Sequence, residues 1–298
     1  MANVEFIRSK LDIDKNDWVL EIGGGPTPFL RSDILADKFL EDNLHRSGQL
    51  VVDRPLVVCD AHELPFVDKS FDYVFCSQLL EHLEQPERFF EELARVGRKG
   101  YIETPNEIRE RLFGWPFHKW VVDQEKNGLV LRENDLEQPF GVLFHKLQLE
   151  NHEFATFCGS WHDLLNVCYE WHDTPKFRFA EHDEYSLPSE KVCLDAERAA
   201  TLRMAEPYNK RAVSQRFMTT GLRKRIPQKL KQWIKRSVTH PRYGYRHSDE
   251  EANEYLQNIL ACPICKVKVS FEEKTRIICP KCRQRFEIKN NIPVMLKQ

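Results

Sequence analysis

The chain's 298 residues suit one large domain with a small companion, and 41% hydrophobic residues supply a core that excludes wholesale disorder. No run of about 18 apolar residues occurs, so no membrane-spanning helix is expected. Met1–Lys10 contains Glu5 and lacks the apolar stretch of a secretory signal, so the expected location is the cytoplasm. The formal net charge of −2 conceals an asymmetry. Pro207–His247 carries 12 Lys or Arg and no acid, and Ser248–Gln298 carries 9 basic and 7 acidic residues. The other 206 residues hold 23 basic against 39 acidic side chains. Three compositions imply three parts: a body over 1–206, a basic linker over 207–257 and a tail over 258–298.

In chain order, Asp17–Ile22 (DWVLEI) reads as a buried strand stopped by Gly23-Gly24-Gly25-Pro26. Asp33–Asp37, Leu56–Cys59 and Phe71–Cys76 are further short strands, the last followed by a helical Leu79–Leu83. Pro86 opens a helix with Phe89, Phe90, Leu93 and Val96 on one face, and Gly100–Glu103 is the next strand. Strands alternating with helices predict a parallel α/β sheet. Beyond Pro105, Lys119–Asp123 and Leu129–Arg132 flank Asn127-Gly128, a hairpin signal. Asn166–Trp171 and Lys176–Ala180 are expected to form a second strand pair around Thr174-Pro175. Residues 106–206 are expected to add late strands and insertions that cap the sheet's ligand edge.

The glycine turn carries the first chemistry, because backbone without Cβ atoms can approach a ligand closely. A dinucleotide fingerprint would need glycine at position 28, where Pro28 stands. Glu21, just ahead of the glycines, would repel a pyrophosphate but tolerates an ammonium or sulfonium. Asp37 closes the second strand, where a carboxylate can accept from both ribose hydroxyls; a solvated Asp beside Lys38 is the plain alternative. Asp60 closes the third strand, where it can accept from an adenine amino group, with small Ala61 leaving room for the ring.

The succession EIGGG, DAHELPF, DKSFDYVFCSQLLEHL and RVGRKGYIETPN, over Asp17–Asn106, resembles the class I S-adenosylmethionine-dependent methyltransferases. The nearest group includes the ubiquinone-biosynthesis methyltransferases. The resemblance implies a Rossmann-like, seven-stranded sheet with S-adenosylmethionine at the carboxyl ends of its first four strands. By position, Glu21, Gly23 and Gly25 would line the methionine end, Asp37 the ribose, Asp60 and Ala61 the adenine, and Ser77 the methyl. Only eleven residues separate Gly25 from Asp37, so the usual first helix is short or absent. Asp53 is the alternative ribose ligand. His82 is the candidate general base, for acceptors with a proton to lose, against a structural helix histidine. Glu103, His118 and Trp120 are candidates for the acceptor side.

Of nine cysteines, five stand alone and read as small buried hydrophobes. The other four form Cys262-x-x-Cys265 and Cys279-x-x-Cys282, two thiolate pairs that complete a tetrahedral site favouring zinc, with iron the less common occupant and a redox pair the disfavoured alternative. The closed ligand set makes that metal structural. Asn258–Lys297 resembles the small zinc-ribbon proteins that bind and activate methyltransferases acting on tRNA and translation factors. The resemblance implies that Ile292–Leu296 adds a strand or apolar edge able to pair with another protein, and that a fused copy either activates its own catalytic domain or recruits a partner.

Between body and ribbon, Gly221–His240 places Leu222, Ile226, Leu230, Trp233 and Ile234 on one helical face among Lys and Arg. It can cover the acidic body, lie on a membrane surface, making the protein peripheral, or contact nucleic acid. The sequence supports a methyltransferase for a small-molecule, glycan or lipid-linked acceptor. RNA or translation-factor methylation and a non-catalytic adaptor are the alternatives.

Overall fold

The computed structural model describes residues 7–41, 48–137, 140–180, 246–272 and 276–297. The expected basic helix over 221–240 lies outside the described residues.

Strands β1 (Val19–Ile22), β2 (Ile34–Asp37), β3 (Leu56–Val58), β4 (Phe71–Ser77) and β5 (Gly97–Pro105) run parallel in the order β3-β2-β1-β4-β5. All four β1 residues are buried, as expected for a strand covered on both faces. No helix links β1 to β2, in agreement with the short spacing. Helix α1 (Pro86–Val96) has proline in its first turn and buries Phe89, Phe90, Leu93 and Val96 against the sheet core. Strand β8 (Asn166–His172) lies antiparallel on β5, opposing Trp171 to Gly100. A Cβ at Gly100 would sit 2.3 Å from the Val74 carbonyl oxygen and 2.7 Å from the Trp171 ring, so the sheet can close there only on a glycine.

A separate sheet holds β6 (Trp120–Glu125), β7 (Gly128–Glu133) and β9 (Phe177–Phe179). The Asn127-Gly128 hairpin forms as expected, with Gly128 at φ +142°. The expected pairing of 166–171 with 176–180 does not: β8 joins the main sheet and β9 runs parallel to β7. The side chains decide this, since Trp171 is drawn under the two β5 glycines while Phe177 stacks on Phe90 at 4.1 Å. Helices α2 (Glu107–Phe113), α3 (Gly141–Glu150) and α4 (His152–Ser160), with the short α5 (His162–Leu165), stand beyond the carboxyl end of β5. Phe113, Cys158 and Leu165 form their own small core.

The tail is helix α6 (Asp249–Ile259) and strands β10 (Ser270–Glu272), β11 (Arg276–Ile278), β12 (Arg285–Lys289) and β13 (Ile292–Val294). Ser248 and Glu251 form a capping box that starts α6, and the expected boundary at 257/258 falls inside this helix. The tail extends the main sheet: β13 pairs parallel with β3, and the Met295 amide donates to the Val58 carbonyl at 2.7 Å. The Ala261 amide donates to Pro65 O at 2.8 Å, and the Val67 amide to Ile259 O at 2.9 Å. Ala252, Leu256, Leu260 and Met295 share one core cluster with Val57, Phe66 and Phe71. The β3 edge is therefore covered within the chain. Ile292–Leu296 thus pairs with its own body, the in-cis outcome that the expectation for a fused ribbon included. Among the described residues the body contributes six strands to the main sheet rather than seven, and the tail four.

Candidate active site at the strand ends

Strand order reverses between β1 and β4, the kind of switch point beside which open α/β sheets bind ligands at the carboxyl ends of their strands. The pairings Ile22↔Ala36, Ile22↔Cys76, Asp37↔Val58 and Ser77↔Glu103 bring the residues expected from sequence to this one edge. Gly23 (φ +74°) and Gly25 (φ +52°) make the turn, with the Gly23 amide donating to Ala36 O at 2.9 Å. A Cβ on Gly23 would lie 3.4 Å from Leu79, which ties the turn to the segment after β4.

Glu21 is buried, and its carboxylate turns under the loop instead of toward a ligand. It accepts from the Phe29 amide at 2.9 Å and from Ser32 Oγ at 2.6 Å. Burial raises its pKa, opposed by Ser32 and Arg54. A Cβ on Gly24 would come within 3.0 Å of that carboxylate, so Glu21 shapes the glycine turn from below. Asp37 is half-buried and accepts from the Phe39 amide at 3.1 Å. Asp53, the alternative, is bound to Arg54 Nε at 2.8 Å. Asp60 accepts from His62 Nδ1 at 2.6 Å, the His62 amide at 2.9 Å and Lys38 Nζ at 2.8 Å. The His62 bond, with Lys38, holds its pKa well below the usual carboxylate range. A carboxylate has about four acceptor positions, which leaves one for a ligand. Ala61 beside it is 9% exposed.

On the β4 side of the switch point Ser77 Oγ donates to Glu103 Oε1 at 2.8 Å and accepts from Arg8 at 3.2 Å. Glu103 is held by Arg8 at 2.7 Å, Tyr101 at 2.9 Å and His162 at 3.1 Å. Burial alone would raise its pKa, but His162 and Arg8 bring it well below the usual range. Of the three acceptor-side candidates, Glu103 is thus spent on internal bonds, and Trp120 donates its indole N–H to Leu83 O at 2.7 Å.

His82 sits on a 3-10 turn (Leu80–His82), half-exposed between the rings of Phe117 and His118. Its neighbour Glu81 is 1% exposed, and burial pushes its carboxyl up to about 7. His118 bonds Glu110 at 2.6 Å; burial holds the imidazole at about 4 and pushes Glu110 up to about 8. Arg109 lies over Phe113 and Trp115 and donates to Asn166 at 2.5 Å. Sequence reading missed Arg8, Glu81, Arg109 and Glu110. The signal available was Glu81 inside an apolar LLEHL run, where a carboxyl is forced inward.

At the far end of the tail the sulfurs of Cys262, Cys265, Cys279 and Cys282 all lie within 4.8 Å of one another, with Cys262 and Cys282 at 3.8 Å. Zinc–sulfur bonds of about 2.3 Å place tetrahedral ligands about 3.8 Å apart, so four soft thiolates in this array fit zinc.

Two known families cover separate parts of this architecture. The family described as "Methyltransferase domain" matches residues 32–102, from β2 through most of β5, and "Trm112p-like protein" matches residues 253–291. The chain is thus a methyltransferase domain followed by a Trm112-like zinc ribbon. A UPF0434 protein of Nitrosococcus oceani is 41% identical over 44 residues, which is 14% of this chain and 75% of that protein. One from Legionella pneumophila (strain Corby) is 46% identical over 43 residues, 14% of this chain and 71% of its own. Through this segment the chain belongs to the UPF0434, Trm112p-like family. A solved complex of the Haloferax volcanii Trm112 methyltransferase activator and a putative methyltransferase matches 58% of this chain and 89% of its own at 14% identity, with a TM-score of 0.37. An S-adenosylmethionine-dependent methyltransferase from Mesorhizobium loti matches 45% and 65% at 17% identity, with a TM-score of 0.30. Among the described residues no helix is long and apolar enough to cross a membrane.

Proposed function

We propose that this chain transfers a methyl group from S-adenosylmethionine to a small-molecule, glycan or lipid-linked acceptor, with its zinc-bound ribbon bracing the catalytic body in cis. The supporting observation is the single row of strand ends at the order reversal, where the Gly23–Gly25 turn, Asp37, Asp60 and Ser77 share one edge.

When bound, S-adenosylmethionine supplies a sulfonium methyl already activated for in-line displacement, so the protein's task is alignment. In this reading the glycine turn, shaped by Glu21, receives the methionine end. Asp37 accepts from the ribose hydroxyls, Asp60 and Ala61 hold the adenine, and Ser77 lies near the methyl. His82, on the acceptor side, deals with the acceptor's proton. The ribbon reaches the segment after Asp60: Lys297 pairs with Glu63, three residues further on, and Lys266 with Glu92 at 2.8 Å. His62 and Glu63 also line a cavity of about 250 Å³ between body and ribbon, together with Arg88, Pro263 and Lys266.

Calorimetric titration with S-adenosylhomocysteine tests the cofactor half. A hydrogen bond to a charged group contributes about 1.5–3 kcal/mol, so Asp37→Ala and Asp60→Ala should each weaken binding roughly 10- to 100-fold. Unchanged affinity in both variants refutes the assignment. Methyl labelling of a cell extract tests the acceptor half: label in small molecules, glycans or lipids supports it, and label in RNA or protein overturns it.

A further inference from the structure

Next to the proposed acceptor position lies a second set of metal-type donors, distinct from the thiolates. One carboxylate oxygen of Glu81, one nitrogen of His82 and one of His118 lie within 4.8 Å of one another, and Glu81 and His118 are buried. Their neighbours fix how each is presented. Glu81 Oε2 accepts from Thr104 Oγ1 at 2.8 Å, whereas Oε1 is buried without a hydrogen-bond partner among the described residues. Its nearest approach to His82 Nε2 is 3.9 Å, too long for a hydrogen bond. His118 gives Nδ1 to Glu110 Oε1 at 2.6 Å, which leaves Nε2 as its coordinating atom. A carboxylate that orients a histidine through its other nitrogen is the usual support of a metal-bound imidazole. The His82 and His118 rings meet edge to face at 4.6 Å and 87°, so both can aim at one point. An ion about 2.1 Å from each donor separates them by about 3–4 Å, which small side-chain rotations reach. A buried carboxylate oxygen without a partner is otherwise a steep cost.

We propose that Glu81, His82 and His118 hold a divalent first-row metal ion whose open positions take an oxygen of a hydroxylated methyl acceptor. Two imidazoles and one carboxylate suit such an ion better than Mg²⁺ or Ca²⁺ and leave coordination sites vacant. The metal half stands on these residues alone; the acceptor half rests on the proposed methyl transfer. The ion lowers the pKa of the bound hydroxyl, whose proton passes to water. The oxygen lone pair then forms the bond to the methyl carbon, and the carbon–sulfur pair returns to sulfur as a neutral thioether. His82 thereby deals with the acceptor's proton as a ligand rather than by taking it.

The test uses the full chain carrying one equivalent of zinc, which the four thiolates take first, and follows the free Mn²⁺ signal by electron paramagnetic resonance. One Mn²⁺ per chain should bind beyond the ribbon's zinc. Binding should weaken at least tenfold in Glu81→Gln and His118→Gln and stay unchanged in Glu84→Gln, an exposed neighbour. No binding, or equal binding in Glu81→Gln, overturns the site. If those variants fail to fold, pulsed resonance on the wild type decides, since bound Mn²⁺ must show imidazole nitrogen couplings. 4-Nitrocatechol reads the acceptor half: its visible band should shift on the Mn²⁺-loaded chain and not on Glu81→Gln, and no shift in either overturns it. S-adenosylhomocysteine titrated into the same samples separates the two readings, because its binding without any Mn²⁺ site would leave the methyltransferase reading intact and sink only the metal.

Discussion

Truncating Tyr255 tests whether the ribbon helix is an integral part of the catalytic body. Its ring stacks on Trp18 at 3.9 Å with planes 1° apart, meets Phe71 edge-on at 6.5 Å, and its hydroxyl donates to the Ser70 carbonyl at 2.5 Å. The stack contributes about 1 kcal/mol, the hydroxyl about 1 kcal/mol, and burial of half the ring about 1–2 kcal/mol. Tyr255→Ala should therefore cost about 3–4 kcal/mol and Tyr255→Phe about 1 kcal/mol. For a unit of this size each kcal/mol lowers the melting temperature by about 2–4 °C, so losses of about 6–16 °C and 2–4 °C are expected. Scanning calorimetry of the zinc-loaded chain should show one transition that moves with Tyr255. In a double-mutant cycle, Trp18→Ala and Tyr255→Ala should be coupled by about 1 kcal/mol. Strict additivity, or a body transition indifferent to Tyr255→Ala, would refute the docking argument.

Stripping zinc, by chelation or Cys279→Ser, should undo the ribbon and uncover β3. Metal analysis should find about one zinc per chain before and none after, with a lower melting temperature; a ribbon that stays folded without metal would contradict this. Gly100→Ala drives a methyl into the Val74 carbonyl and the Trp171 ring. Urea unfolding should show a loss of about 1–3 kcal/mol or more in unfolding free energy, and a loss under about 0.5 kcal/mol would refute the close packing there. Asp123 is pushed up to about 6 by its burial and by Glu107. A raised carboxyl pKa favours the folded state below the unfolded value near 4 and loses that favour as pH rises through 6. Asp123→Asn should thus stabilise the chain by about 1–3 kcal/mol at pH 8 and leave it unchanged at pH 4; equal shifts at both would disprove the cause.

What was legible in the sequence was local. Periodicity gave β1 through β5 and α1, because fully apolar strands and a proline-started amphipathic helix carry their own signals. Chain order put Gly23, Asp37, Asp60 and Ser77 at strand ends, which in a parallel sheet means one edge. Cysteine spacing gave the ribbon's ligand set, since two thiolate turns need only each other. The side-chain bonds were not legible. Glu21 and Glu103 look alike as strand-end carboxylates, yet one braces a turn through Ser32 and the other is clasped by Arg8 and His162, partners 11 to 95 residues away.

Residue types and their spacing, then, determined a parallel nucleotide-type sheet, a glycine turn with two acidic strand ends, and a four-thiolate tail. Tertiary structure alone decided that β8 and β9 part company, because Trp171 finds its space under Gly97 and Gly100. It alone decided that the tail's last strand is used within the chain. An unpaired β3 edge beside an apolar strand on the same polypeptide closes without the translational cost that a separate partner would bear.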